Sequence, residues 1–462
     1  MKKYLLFITL LLSTFFSFGQ VSTSERDALI ALFNSTNGAN WTNNTNWNIA
    51  NPVSSWFGIT VVNISGQDYV TELNLNFNNL YGTIPSEIGD LNNLTNLNLS
   101  MNYLSGIIPL EIGNLTNLSE LSLYGYQLSG PIPTEIGNLT NLTFLDLSNN
   151  QLSGLIPTDI ENLTNLTYLN LSYNQLSGFI PTEIENLTNL NVLSLSVNQL
   201  SGSIPIEIQN LTNLISLNFS NNELSGTIPA EIGNLTNLIY LGLVNNQLTG
   251  SIPTSFTNLT SMIKFYLIGN NLSGDVPDIF SGWTYLEIFK ISNNTFTGIV
   301  DLSDNSNLTR CNVNSNDLSI LKINNGNNTN LSSIHFDARL NPNLTCIFVD
   351  DANWSEANWS DKIDETSTFV ETQTECNALD VEDEIFKQNI EIHPNPTSNY
   401  LNIINNNNIE IQQIVLFNTL GQKVFLTGKT NQINISDLKN GMYYILINDT
   451  NGNKETYKLI KK

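Results

Sequence analysis

The stretch Leu94-Thr-Asn-Leu97-Asn-Leu99-Ser-Met-Asn102-Tyr-Leu104-Ser-Gly106-Ile-Ile108-Pro109-Leu-Glu111-Ile112-Gly-Asn114-Leu115-Thr-Asn117 is a unit of 24 residues. The same unit restarts at Leu118, Leu142, Leu166, Leu190, Leu214, Leu238 and Met262. Val70 opens an earlier copy, Leu286 a later one, and Leu308 and Leu331 begin degenerate ones. A fixed period of this length is the mark of a stacked repeat architecture. In LxxLxL the side chains alternate, so the Leu residues point inward from a short strand. Asn102 and its copies at 150, 174, 198, 222, 246, 270 and 294 fall where the chain leaves that strand. Stacked, they predict a buried Asn ladder that satisfies orphaned backbone groups. Gly106 and its copies permit unusual backbone angles, and Ile-Pro starts a short helical turn with Pro suited to its first position. No single unit can bury its Leu face alone, whereas stacking buries all of them, each Leu contributing roughly 1.5–3 kcal/mol before entropy is charged.

The repeats resemble the leucine-rich repeat family in its plant-type form, through the segment LxGxIPxxIGNLTN, over about residues 70–350. The resemblance implies a leucine-rich repeat solenoid with a parallel β-sheet on its concave face and short helical or extended segments on the convex one. Tyr126 replaces the ladder Asn in one copy, so a local gap is expected there. Ser22-Thr-Ser-Glu25 reads as a capping box, followed by an apolar helix stripe of Ala28, Leu29, Leu32 and Phe33 and by Trp41, Trp47 and Trp56 to cover the first rung. This segment resembles the N-terminal cap of secreted relatives, without the paired Cys common in plant versions. The segment from Asn341 through Trp354 and Trp359 to Cys376 resembles a bacterial C-terminal cap. Cys346 and Cys376 flank it and are expected to pair, since export permits disulfides. Cys311 takes a Leu position and reads as a small buried apolar side chain.

Around the repeats, charge is distributed unevenly. The chain has 462 residues and a net charge of -24, from 17 basic and 41 acidic residues; 40% is apolar and 13% charged. This excludes global disorder. It also argues against nucleic acid, whose binding needs basic residues to neutralise phosphates. Met1-Lys2-Lys3, an apolar run to Phe18 and small residues before Gln20 read as a signal peptide. The eight Lys from residue 382 onward balance eight Asp or Glu. The acidic excess therefore lies in residues 20–381, where no Lys or Arg occurs between Arg26 and Lys264.

Beyond residue 382 the period gives way to short β-like runs separated by turn residues, which predict a small antiparallel β-sandwich. His393-Pro-Asn-Pro-Thr397, Leu416-Phe-Asn-Thr-Leu-Gly-Gln422, Leu438-Lys-Asn-Gly-Met-Tyr-Tyr-Ile445 and a basic end at Lys458–Lys462 resemble the type A C-terminal sorting domain of the type IX secretion system. That resemblance implies a Bacteroidota source, passage through the outer membrane, contact with the secretion machinery, and release or surface attachment. The expected organisation is a signal peptide over 1–19, an N-terminal cap over 20–69, repeats over 70–340, a C-terminal cap and linker over 341–381, and the sorting domain over 382–462. No transmembrane segment is expected in the mature chain. The Asn-Leu-Thr sequons from Asn114 to Asn258 follow from the repeat itself.

Binding by this fold is usually on the concave face. Tyr124, Phe144, Tyr168, Tyr173, Tyr240 and Tyr266 fall at outward positions of the concave strands or just beyond them. They form a candidate patch for a protein or glycan, although β-favouring residues on an exposed sheet explain them as well. Glu87, Glu111, Glu135, Asp159, Glu183, Glu207 and Glu231 share the position two after Pro and should form a carboxylate file on the convex side. Acids in the first turn of a short helix satisfy its N–H groups; the alternative is that Ca²⁺ or another divalent cation bridges the file. His335 and His393 join no catalytic triad or metal spacing. The functional expectation is a secreted or cell-surface binding protein and not an enzyme. The alternatives are a passive surface or matrix spacer, or an ice- or mineral-binding solenoid built on regular Thr, Asn and carboxylate ladders.

Overall fold

The computed structural model describes residues 20–379 apart from 49 and 126, and residues 390–462 apart from 406–408, 428, 429 and 451–453. The expected signal peptide, residues 380–389 and the ladder gap expected at Tyr126 lie outside the described residues. The chain divides after Ser367 into two compact units.

In the first unit each 24-residue copy makes one rung. The concave strands, such as Tyr168–Asn170, are three residues long and pair in parallel with the strand one repeat on: Phe144 with Tyr168, Tyr168 with Val192. The sheet holds 13 strands. Its first is not a repeat at all. Ile59–Ile64 runs antiparallel to Gln67–Asn74 and pairs with the side that the first rung would leave open, so the sheet ends on a strand outside the repeat. Within one rung Leu94, Leu97, Leu99, Leu104, Ile108, Ile112 and Leu115 are all buried. The inward alternation read from the sequence is therefore the core.

After each concave strand the Asn side chain does the work expected of it. Asn174 Nδ2 donates to the carbonyls of Leu147 at 3.0 Å and Leu171 at 3.1 Å, and its Oδ1 accepts from Leu152 N at 3.0 Å. Two of those three partners belong to the preceding rung, so the Asn fastens one repeat to the next. The ladder continues through Asn316 and Asn341 into the degenerate copies. Gly106 and its copies take φ near 78°, a left-handed conformation that L side chains resist. The five-residue 3₁₀ helices follow, as in Thr134–Asn138. Pro133 precedes that helix as an extended residue (ψ 141°) instead of forming its first turn. The residue carries the helical φ that its ring dictates, and the helix begins one residue later than the sequence suggests.

Both ends are sealed by helices and Trp. Helix Thr23–Ser35 is capped by Ser22 Oγ, which accepts from Glu25 N at 3.1 Å. The capping box is only half made: buried Glu25 takes a hydrogen bond from Val70 N at 3.2 Å and ties the helix to the first repeat strand. Trp41, Trp47 and Trp56 pack in series, with centroids 4.8 Å apart at each step. At the other end, helix Ala352–Trp359 is capped by Asp351, and fully buried Trp359 lies 4.5 Å from Phe336 of the last concave strand. Cys346 and Cys376 are both disulfide-bonded and Cys311 is free, so the first two pair with each other. Burial pushes the Cys311 thiol up to about 12, which keeps it unreactive.

The second unit holds a three-stranded antiparallel sheet and a four-stranded one. Leu401, Ile403, Ile414, Leu416, Ile433 and Ile445 lie in its buried core.

Candidate functional site

The outward positions of the concave strands form two columns. The first runs Glu72, Asn96, Glu120, Phe144, Tyr168, Val192, Ser216, Tyr240, Lys264, Ile288, Arg310, in register from strand to strand. The second, two residues on, includes Asp146, Asn170, Gly242, Tyr266 and Lys290. In many rungs the residue at the second column accepts from the Ser two further on, as Asp146 does from Ser148 Oγ at 2.6 Å and Asn170 from Ser172 Oγ at 2.6 Å. The Ser column is thus largely explained by the turn that ends each strand.

The candidate aromatics do not form one patch. Phe144 and Tyr168 stack with centroids 4.4 Å apart and planes within 9° of parallel. Tyr240 and Tyr266 form a second, tilted pair at 5.5 Å. Val192 and Ser216 separate the pairs. Tyr168 Oη accepts from Asn170 Nδ2 at 3.3 Å, so the phenol leans along its own strand. Tyr240 leans the same way, over Gly242: a Cβ there would fall 2.8 Å from Tyr240 Oη. Burial raises the pKa of Tyr168, with Asp146 adding to it, and that of Tyr240, with Tyr266 adding to it. Burial also raises Tyr266, though nearby Arg310 pulls it back. All three phenols stay neutral donors at neutral pH. Tyr124 lies half-buried beyond its strand, and Tyr173 is exposed in a turn at φ 55°.

The charges on this face are unevenly spread, and Asp337, ion-paired to Arg339, follows Asn312 in the second column of the last rung. Glu72, Glu120 and Asp146 occupy the N-terminal rungs; Lys264, Lys290 and Arg310 occupy three consecutive C-terminal rungs. Next to Lys290 is a depression of about 150 Å³ lined in part by Asn312, His335, Asp337, Arg339 and Lys362. The cations and Gly242 were not among the residues singled out from sequence. The signal was present: Lys264 is the first cation after Arg26, and Gly242 stands where neighbouring repeats carry Asn or Tyr.

On the convex side Glu87, Glu111, Glu135, Asp159, Glu183, Glu207 and Glu231 do form a file, one per 3₁₀ helix. The Thr134 and Thr182 hydroxyls lie 3.3 Å from the carboxylates of Glu135 and Glu183. Among the described residues no three His, Cys, Asp or Glu side chains converge enough to hold a metal ion. One acid per rung spreads them along the axis. The same side carries an apolar furrow of about 630 Å³ past exposed Leu155, Phe179 and Ile206, which the sequence reading did not single out.

Family models for the leucine-rich repeat match residues 69–91, 93–115 and 237–259, and a leucine-rich repeat region model matches 112–224. A model for a secretion system C-terminal sorting domain matches 391–462. Among solved structures, the chain is 30% identical to a plant ice-binding protein, over 61% of this chain and 89% of that one, with a TM-score of 0.52. It is 25% identical to the Arabidopsis receptor kinase HAESA, solved with the peptide hormone IDA and the co-receptor SERK1, over 71% and 58% at a TM-score of 0.54. It is 27% identical to the Arabidopsis thaliana receptor kinase GASSHO1/SCHENGEN3 ectodomain, over 71% and 46% at 0.50. The chain thus spans about half the length of the receptor structures it matches. No curated protein matches it. Among the described residues no helix is long and apolar enough to cross a membrane.

Proposed function

Because this chain belongs to the leucine-rich repeat family and ends in a type IX sorting domain that directs it outside the cell or to its outer surface, we propose that it is a binding protein that holds a protein or glycan on its concave face. Solenoids of this family typically serve as non-enzymatic binding scaffolds. The observation that carries the reading is the pair of aromatic contacts, Phe144–Tyr168 and Tyr240–Tyr266, set among Asn and Ser on an open sheet. Aromatic rings beside neutral hydrogen-bonding groups supply contact area at low entropic cost. The HAESA structure, in complex with a peptide hormone, supports a ligand-holding role for the fold. The test is a glycan array and a surface-protein pull-down with residues 20–462, alongside Phe144→Ala/Tyr168→Ala. Retention that falls at least about tenfold, the loss expected when two aromatic anchors go, supports the reading. Ligands retained equally by the variant overturn it.

A second reading has its own observation. Thr116, Thr140, Thr164, Thr188, Thr212 and Thr236 are exposed, one per rung. The next residue in several rungs, such as Asn141, donates to the Thr carbonyl one rung back, at 2.9 Å. The file is held at the strand spacing of about 4.8 Å. With the likeness to a plant ice-binding protein, this regular array supports binding to ice. Thermal hysteresis that disappears in Thr164→Lys/Thr188→Lys is the expected result; its absence in the parent chain removes this reading.

A further inference from the structure

Residues 20–379 contain seven Lys and Arg among a large acidic excess. Three of the seven make ion pairs: Lys322 with Asp301 at 2.8 Å, Arg339 with Asp337 at 2.7 Å, and Lys362 with Asp361 at 2.7 Å. Arg26 lies over the Trp56 ring at 5.4 Å. The other three, Lys264, Lys290 and Arg310, make no ion pair among the described residues, and they stand together on the concave face. Lys264 and Arg310 share the first column two rungs apart, and Lys290 sits in the second column on the rung between. Cations so scarce, in so negative a chain, have no shortage of carboxylates to pair with. Their grouping instead leaves a positive strip, one charge per rung, beside the Tyr240–Tyr266 pair.

Resting on the concave-face reading above, we propose that this strip binds a linear polyanionic polysaccharide, one bearing a carboxylate or sulfate at regular intervals. Along the sheet axis the cations step by one strand spacing of about 4.8 Å while alternating between the two columns, so a polymer with periodic charge on both edges meets one cation per rung, whereas a peptide would need a run of acidic residues. The concave strands already use their backbone groups in the sheet, so an extended peptide finds side chains but no free edge to extend. The neighbouring Tyr hydroxyls and rings and Asn312 suit sugar hydroxyls and ring faces. Gly242 is part of the site, because it makes the room that seats Tyr240. Glu72, Glu120 and Asp146 repel a polyanion from the N-terminal rungs. The footprint is therefore confined to the C-terminal half of the face.

The test is binding of residues 20–462 to alginate and to dextran sulfate, with neutral dextran, poly-glutamate and single-stranded DNA as comparisons, by calorimetry over a salt series. Alginate and dextran sulfate separate carboxylate from sulfate. At least one is expected to bind, with log K falling against log salt at a slope of about 2 for three displaced counterions. Lys264→Ser/Lys290→Ser/Arg310→Ser is expected to lose the binding at unchanged melting temperature, while Lys423→Ser/Lys439→Ser in the sorting domain keeps it. Neutral dextran binding as well as the polyanions, retention in the triple variant, or binding of neither polysaccharide overturns the inference. So does preference for poly-glutamate or DNA. If the polysaccharides fail while the pull-down above finds a ligand that needs Phe144 and Tyr168, only this inference falls.

Discussion

The solenoid and the C-terminal sandwich solve the same problem by opposite means. A rung buries its Leu and Ile against the rung before and the rung after, and its buried polar groups are satisfied by an Asn that reaches one repeat back. The sandwich closes one core from strands distant in sequence, with Ile390 and Leu459 in the same cluster. The first is extensible, carries the whole acidic excess and has a long face free for ligands. The second is finite and nearly neutral. A recognition surface can grow by adding rungs, because each rung interacts only with its neighbours. A sorting label needs one compact shape.

The sharpest way to break this contrast is to cut the ladder. Asn174→Leu removes the donor to Leu147, Leu171 and Ser172 carbonyls and the acceptor for Leu152 N. Leaving those buried groups unpaired is expected to cost about 4 kcal/mol in urea unfolding. A loss no larger than that of a surface substitution would mean that packing alone holds the rungs. The counterpart in the sandwich is Ile445→Ala, expected to cost about 3 kcal/mol by opening a cavity in the buried cluster. Fewer molecules should then leave the cell in a secretion assay, while the solenoid keeps its melting temperature. Reducing the Cys346–Cys376 disulfide, which closes a loop 30 residues apart in sequence, should cost about 3 kcal/mol, read by calorimetry with and without reductant.

Smaller effects separate the two regions electrostatically. Raising salt should lift the solenoid's melting temperature by screening its acidic excess and leave the sandwich unmoved. Acid should act through Asp301 and Asp337. Burial pushes both carboxyls up, but hydrogen bonds from Lys322 and Ser303, and from Arg339 and Asn314, outweigh it and hold them below the usual carboxylate range. A depressed folded pKa gives stability that is complete above the unfolded value of about 3.9 and is lost as pH falls through the folded one. The C-terminal rungs should therefore weaken only below about pH 4, and Asp337→Asn should flatten that loss.

Most of the fold was legible because its determinants are local and repeated. Leu97, Asn102, Gly106 and Pro109 each do one job in one rung, and the chain states that job many times over. The Cys346 and Cys376 positions and the words of the sorting domain were equally readable. What the sequence could not state is what depends on neighbours of unlike kind. Glu25 fits a capping box by spacing, yet its carboxylate is shared between Ser22 Oγ and Val70 N, which ties the helix to the first repeat strand. The concave aromatics read as one patch, but Val192 and Ser216 part them. The three cations were not singled out as a group from the sequence. Only the stacking of rungs, which turns a separation of some two dozen residues into one strand spacing, places them side by side. Sequence by itself determined the rung and its number; tertiary structure decided which side chains, once stacked, are left without a partner and so are free for a ligand.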